Sequence, residues 1–469
     1  FTPYVGAIVY SFSTILVSYL VGTFLGLAAY RDTKRAWDPD KVVTWISLAA
    51  LGLLPLFTAD PRIDFRPALR VLLGVAPFSA GIGFLTPMLV DRFSDGDPDR
   101  AGRGYAINVL GCIIGPLVSG FLLLPLVGER TSMLVFILPW FVVGATRLKM
   151  DKASDAKTHA MRVAGLAVTL GIFFFTKDWE TTFPKREVLR DSTATVIATG
   201  EGMKRKIITN GVGMTYLTPI TKMMAHITLS SLDHEPKNVL IICFGMGTTF
   251  RSSLSWGVDT TAVELVPSVP KFFWYFHSDA DRVLASPHAH IVIDDGRRYL
   301  ERSTEKYDAI LIDPPPPVSA AGSSLLYSEE FYTVVKAHLK DGGIFQQWLP
   351  WADPTVQASV ARALHASFPN VKVYGSVENW GWHFLASMKP LPNRTAAELV
   401  ARMPPAALAD ASEWGSTAEA QLDHMLKSET TTEKLMALSP NAPALQDDRP
   451  VNEYFLFRLI AQRLFGAAP

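Results

Sequence analysis

The sequence predicts a chain of two parts: a multi-helix transmembrane domain, then an α/β doubly wound domain entered through a small β-rich region. Three observations carry that prediction. A chain of 469 residues would make about three soluble domains, at roughly 150 residues each. Yet 49% of the residues are hydrophobic and the mean hydropathy is +0.19, too apolar for that picture. The excess is concentrated before Phe175, where long apolar runs alternate with short charged loops; beyond it the mix is that of a water-soluble domain. There, four successive β-type apolar runs each end in glycine or acid. The predicted boundaries are 1–175 for the membrane part, 176–235 for the β-rich entry, 236–390 for the doubly wound domain and 391–469 for a C-terminal helical and loop extension.

A helix needs about 20 apolar residues to cross a bilayer. Six runs qualify in whole or in part: 4–30, 42–59, 68–90, 105–127, 131–146 and 161–175, the last two being short. Gly22 and Gly26, and Gly111, Gly115 and Ser119, recur at the spacing that lets helices approach closely. Asn108 is the main strongly polar residue inside a span, so no charged ion pathway is written here and a transporter is disfavoured. Lysine and arginine gather in alternate loops: Arg31, Lys34, Arg35 and Lys41; Arg92, Arg100 and Arg103; Arg147, Lys149, Lys152 and Lys157. That bias puts those loops in the cytoplasm. Six full crossings would then place the soluble part outside, whereas a nucleotide-like substrate argues for the cytoplasm. The reading adopted is an integral protein of a bacterial-type inner or plasma membrane with its catalytic part cytoplasmic and one short segment, 161–175, not crossing. The chain opens on Phe1-Thr2-Pro3 without a methionine, which leaves room for an upstream segment.

Composition excludes other classes. Lys+Arg and Asp+Glu are both 44, so there is no basic field to hold nucleic acid. The two cysteines, Cys112 and Cys243, make neither a disulfide framework nor a metal site and read as small core residues. His288 and His290 lack a third ligand at metal spacing, and no metal is expected. Trp348, Trp351, Trp380 and Trp382 read as core or interface aromatics.

In the soluble part, short strands flank a turn at Gly200-Glu201-Gly202, and 221–229 suits a helix. A buried strand at 238–243 runs into Phe244-Gly245-Met246-Gly247 and a helix. The next strand, 260–263, ends in Glu264; 290–293 ends in Asp294-Asp295-Gly296; 307–312 ends in Asp313-Pro314-Pro315-Pro316-Pro317. Open parallel sheets bind ligands beyond their strand carboxyl ends. A glycine turn alone also serves helix packing. An acid about 19 residues after the turn suits ribose hydroxyls, and one at the third strand end can accept from an adenine amino group. Residues 390–445 read as an exposed helical region with loops.

These motifs resemble the spermidine synthase (aminopropyltransferase) family, of class I methyltransferase-type fold, in its membrane-fused branch. The resemblance covers about 186–385. It rests on Ile220-Thr-Lys-Met-Met-Ala-His226, Glu264, Asp294-Asp-Gly-Arg-Arg-Tyr-Leu300, Tyr307-Asp-Ala-Ile-Leu-Ile-Asp313, Leu326-Tyr-Ser-Glu-Glu-Phe-Tyr332 and Gly342-Gly-Ile-Phe-Gln-Gln-Trp-Leu-Pro350, with Asp447-Asp-Arg-Pro-Val-Asn-Glu-Tyr454 near the end. The last reads either as a surface turn or as a means of closing the site.

The resemblance implies a donor site of Gly245, Met246, Gly247, Glu264 (ribose hydroxyls), Asp294, Asp295 (adenine amino group) and Gly296. Asp313 is the implied catalytic carboxylate, orienting an amine and taking its proton. Thr221, Lys222, Pro314 and Tyr327 are placed at the acceptor, Tyr327 also beside the catalytic group. Three departures qualify the substrate. Met246 stands where soluble relatives carry an Asp, Pro316 where they carry a second one, and Ile220 and Thr221 where they carry Tyr and Gln. Without the turn acid, S-adenosylmethionine suits the site as well as its decarboxylated form, Arg251 and backbone N–H groups receiving the carboxylate.

The implied activity is transfer of an aminopropyl or aminocarboxypropyl group to a small-molecule or lipid amine, releasing methylthioadenosine. Alternatives are intramolecular cleavage of the donor to methylthioadenosine and a small ring, methyl transfer, suggested by the Asp-Pro-Pro run, and a non-catalytic transporter or sensor. The bilayer is the expected partner, and a homo-oligomer is compatible with the same organisation.

Overall fold

In a computed structural model, the structure describes residues 1–32, 37–147, 156–313 and 318–465. Lys34, Arg35, Lys149 and Lys152, counted in the basic loops, and Pro314 to Pro317 lie outside the described residues. The chain forms two compact units, 1–185 with 190–195, and 186–189 with 196–469.

The first unit is helical. Among the described residues, four of its helices are long and apolar enough to cross a membrane: Val9–Asp32, Pro67–Ser94, Pro98–Arg147 and Thr158–Phe175; Val42–Thr58 is a shorter apolar stretch. Pro98–Arg147 combines two of the runs read from sequence, and Gly128, at φ 72° and ψ 177°, breaks it between them. Only a residue without a Cβ takes that conformation at little cost. Helix Val9–Asp32 lies against Pro67–Ser94, where a Cβ on Gly22 would stand 2.5 Å from the Ala76 carbonyl oxygen. Gly111 and Gly115 differ from expectation: no described atom comes within 4 Å of a Cβ built on either. Cys112, on the same helix, is exposed rather than in a core, because Pro98–Val118 has no buried residue.

The second unit begins with a four-stranded sheet of β1 (Arg186–Arg190), β2 (Thr195–Thr199), β3 (Lys206–Thr209) and β4 (Val212–Tyr216), in that order. Seven further strands build the main sheet: β5 (Asn238–Ile242), β6 (Asp259–Glu264), β7 (Ala289–Ile293), β8 (Tyr307–Ile312), β9 (Leu339–Leu349), β10 (Asn370–Gly375) and β11 (Trp382–Ser387). Their order is β10-β11-β9-β8-β5-β6-β7. The five strands from β7 to β9 are parallel, and β11 and β10 close the edge antiparallel, so the sheet is mixed.

All six residues of β8 are buried, as a central strand covered on both faces requires. Leu240, Ile242, Ile310 and Ile312 face a core shared with helices Gly296–Arg302, Glu329–Ala337 and Pro354–Ser367. The alternate residues Val239, Ile241 and Leu311 are equally buried on the other face, where helix Pro219–Ser231 lies against β8 and β9. The stretch 390–445, read from sequence as exposed, instead packs in. Ala407, Ala411, Leu422, Met425 and Leu435 are buried, since its short helices turn small or apolar residues inward.

Candidate active site

The chain leaves β5 towards β6 and β7 on one side of the sheet and returns at β8 on the other. The crevice between β5 and β8 is therefore the switch point at which such sheets take ligands. Register decides what stands there. Ile242 pairs with Val263 of β6 and with Ile312 of β8, so the next residues, Cys243, Glu264 and Asp313, share one row at the strand ends. Glu264 pairs with Ile293, putting Asp294 one step beyond.

Each group is held locally. Cys243 turns the backbone at φ 72°, a conformation costing a non-glycine residue about 1–2 kcal/mol. It packs against the main core, as the sequence reading expects, and its backbone angle marks the start of the turn. Gly245 and Gly247 follow at φ 55° and 77°. A Cβ on Gly247 would overlap the Phe273 ring, whereas one on Gly245 would sit 3.8 Å from Asp313 Oδ2. Met246 puts a buried apolar side chain between them. Glu264 accepts from the N–H groups of Phe244 at 2.8 Å and Val266 at 2.9 Å, which ties the acid to the turn. Gly296 is required by contact as well, since a Cβ there would run into the Ile242 side chain. Asp295 caps the helix that begins at Gly296, accepting from the Arg298 N–H at 2.8 Å, and is exposed. Asp294 accepts from the Asp295 N–H at 2.9 Å and pairs with Arg302.

Asp313 is partly buried, with its N–H on the Ile242 carbonyl at 3.2 Å. Burial, and then the nearby charge of Glu264, push its carboxyl up to about 7. Burial raises Glu264 too, against the backbone N–H groups that favour its charge. The Cys243 thiol is raised by burial and then by Glu264, Asp313 and Asp295, so the acids of three strand ends converge on it. Tyr327 is fully buried, its hydroxyl has no hydrogen-bond partner among the described residues, and Cys243 and Asp313 act on it electrostatically. The structure thus brings together Gly245, Met246, Gly247, Glu264, Asp313 and Tyr327, with Asp294, Asp295 and Gly296 at the neighbouring strand end. Pro314 lies outside the described residues.

Arg251 and Lys222 are placed differently from expectation. Arg251 pairs with Asp279 at 2.9 Å, Asp410 at 2.5 Å and Glu413 at 2.6 Å. Lys222 is fully buried, donating to Asp410 Oδ1 at 2.7 Å and Glu413 at 2.6 Å, with its ammonium 4.1 Å from the centre of the Trp414 ring. Both cations are committed to carboxylates from the C-terminal extension. Thr221 is buried, donating to the Thr218 carbonyl at 3.1 Å and accepting on its own carbonyl from Thr249 at 3.0 Å. Beside the start of that helix lies a cavity of about 570 Å³, lined in part by Lys204, Lys206, Tyr216, Pro219, Glu378 and Trp414.

The family profile described as "Spermine/spermidine synthase domain" matches residues 218–379. The polyamine aminopropyltransferase 2 of Pseudomonas aeruginosa is 31% identical over 162 residues, 32% of this chain and 46% of that protein. The polyamine aminopropyltransferase 2 of Hyperthermus butylicus is 36% identical over 168 residues, 33% of this chain and 54% of that protein. The chain spans about half the length of these curated relatives. The spermidine synthase structure of Thermotoga maritima superposes with a TM-score of 0.43 at 19% identity, covering 54% of this chain and 87% of that one. The main sheet, from the helix before β5 to the turn between β10 and β11, is the part of this chain that matches the spermine/spermidine synthase domain family.

Proposed function

We propose that the protein is a membrane-bound transferase that moves an aminopropyl or aminocarboxypropyl group from an S-adenosyl sulfonium donor to an amine. The observation that carries the reading is Asp313: a carboxylate with a pKa near 7, at the switch point, in a row with Glu264 and beside Gly245. A protonated amine is no nucleophile. A base poised near the working pH can take its proton while holding its nitrogen in line. The nitrogen lone pair forms the new bond to the carbon on sulfur, the carbon–sulfur pair leaves with sulfur as a neutral thioether, and the amine proton goes to Asp313. The sulfonium supplies the leaving group; this chain supplies position and the proton acceptor. Glu264 holds the ribose hydroxyls, Asp295 the adenine amino group, and the turn at Gly245 to Gly247 gives the donor's tail close access to backbone.

The four long apolar helices support membrane attachment, and a lipid-borne amine is an acceptor that would explain it. Met246 in the turn supports use of S-adenosylmethionine alongside the decarboxylated donor. A second reading, intramolecular cleavage of the donor, is favoured by Lys222. Its charge is consumed by Asp410 and Glu413, so it is not available to grip a second substrate.

The test is incubation of the purified chain with each donor, with and without amines, and product identification by mass spectrometry. Alkylated amine plus methylthioadenosine supports transfer; methylthioadenosine with a ring product and no amine supports cleavage. Absence of methylthioadenosine under every condition refutes both.

A further inference from the structure

Near the C-terminus, residues 446–453 fold as two linked turns, the Arg449 N–H on the Gln446 carbonyl and the Glu453 N–H on the Pro450 carbonyl, each at 3.0 Å. Three side chains from these turns reach the walls of the site. Asp447 takes both guanidinium N–H groups of Arg297 at 2.8 Å and the Ser328 hydroxyl at 2.6 Å. Asn452, fully buried, donates to the Val318 carbonyl at 2.6 Å and the Ser323 hydroxyl at 2.9 Å. Glu453, also buried, accepts from the Ser324 hydroxyl at 2.6 Å and its N–H at 3.1 Å.

The targets have a common address. Val318, Ser323, Ser324 and Ser328 bracket the segment 318–328, which follows Asp313 and carries Tyr327. Arg297 belongs to the helix whose first residue, Gly296, abuts Ile242 and whose cap is Asp295. Tethering alone does not call for buried charged groups, which apolar packing often replaces at no loss of stability. What directed hydrogen bonds add is a fixed geometry, here imposed on loop backbone.

We infer that Asp447, Asn452 and Glu453 are positioning residues of the transferase site: Asn452 and Glu453 set the Tyr327 wall against Asp313, and Asp447 locks that wall to the helix presenting Asp295. The inference rests on the transferase reading above. It separates two effects. Loosening the Arg297 helix weakens the grip on the donor. Loosening segment 318–328 admits water beside Asp313, whose other charged and titratable neighbours are Glu264 from β6, Cys243 from the end of β5, Tyr327, and Asp295 across Cys243.

The experiment uses the full chain in detergent and measures kcat, donor KM and the pH profile of kcat/KM for Asp447→Asn and Asn452→Ala, with methylthioadenosine binding and thermal unfolding as checks on folding. Asp447→Asn is expected to raise donor KM about tenfold with kcat nearly unchanged, the loss of one charged hydrogen bond. Asn452→Ala is expected to lower kcat about tenfold with donor KM nearly unchanged and to move the acid limb of the profile to lower pH. Glu453→Gln, which keeps an acceptor for Ser324, should recover most of the activity that Glu453→Ala loses. Variants that bind methylthioadenosine like the parent yet leave kcat, KM and the acid limb unmoved would overturn the inference while the transferase reading stands. Equal loss of kcat and KM terms in both variants, tracking lowered melting temperature alone, would reduce these residues to scaffold and overturn it too. A parent chain that turns over no donor refutes the transferase reading itself.

Discussion

Asp410 and Lys222, 188 positions apart in sequence, meet at 2.7 Å at the centre of a buried ionic group that also takes in Arg251, His226 and Ser252. This group joins the helix before β5 and the helix after the glycine turn to the C-terminal extension. Burial opposes the charge of Asp410, but the bonds from His226 and Lys222 outweigh it and hold the carboxyl well below its usual range.

Asp410→Asn should therefore destabilise the second unit by about 3 kcal/mol at pH 7, the scale for removing one member of a buried ionic group. Thermal unfolding of the full chain checks this. The pH sign follows from the depressed value. Asp410 contributes fully above its unfolded pKa near 4, and that contribution is lost as pH falls towards the folded value. The difference between parent and variant should narrow only under acid conditions.

Asp313 has the opposite sign. In the folded chain it keeps its proton to about pH 7, and in the unfolded chain it ionises near 4. Between those values stability falls as pH rises, and above 7 the whole penalty stands. Asp313→Asn should abolish turnover, leave methylthioadenosine binding nearly intact and raise the melting temperature at pH 8, with the gain vanishing near pH 4. In the parent, kcat/KM should climb through a limb near pH 7 as the base is uncovered. Retained turnover in the variant would remove Asp313 from the chemistry.

Glu264 accepts from the Phe244 N–H and, in the proposed transferase, holds the donor's ribose hydroxyls. Glu264→Ala should weaken methylthioadenosine binding by about 1.5–3 kcal/mol, read by calorimetry, as expected for hydrogen bonds to a charged group.

The two turn glycines should differ. Gly247→Ala meets both a positive φ and the Phe273 ring, while Gly245→Ala meets only the positive φ. Donor affinity should fall further for Gly247→Ala, measured by the same titration.

Much of the sheet was legible because its signals are local. Runs such as Val239-Leu-Ile-Ile242 and Ala309-Ile-Leu-Ile312 mark central parallel strands, and the acids directly after such runs stand at their carboxyl ends by chain geometry alone. The break at Gly128 was equally readable as the gap between two apolar runs. Gly111 and Gly115 show the limit of that logic: a small-residue spacing permits close helix contact but does not supply the second helix.

By itself, the sequence carried the contrast between apolar helical runs and an α/β pattern, and which acids end which strands, since hydrophobic periodicity and composition act over a few residues. Tertiary structure alone decided which charges are free to act. Arg251 and Lys222 are cations in any sequence reading, yet Asp279, Asp410 and Glu413 consume them, and Arg297 is claimed by Asp447. Those pairings join residues 28 to 191 positions apart. Coulomb and hydrogen-bond energies depend on separation in space and on burial, and neither is set until the chain has folded.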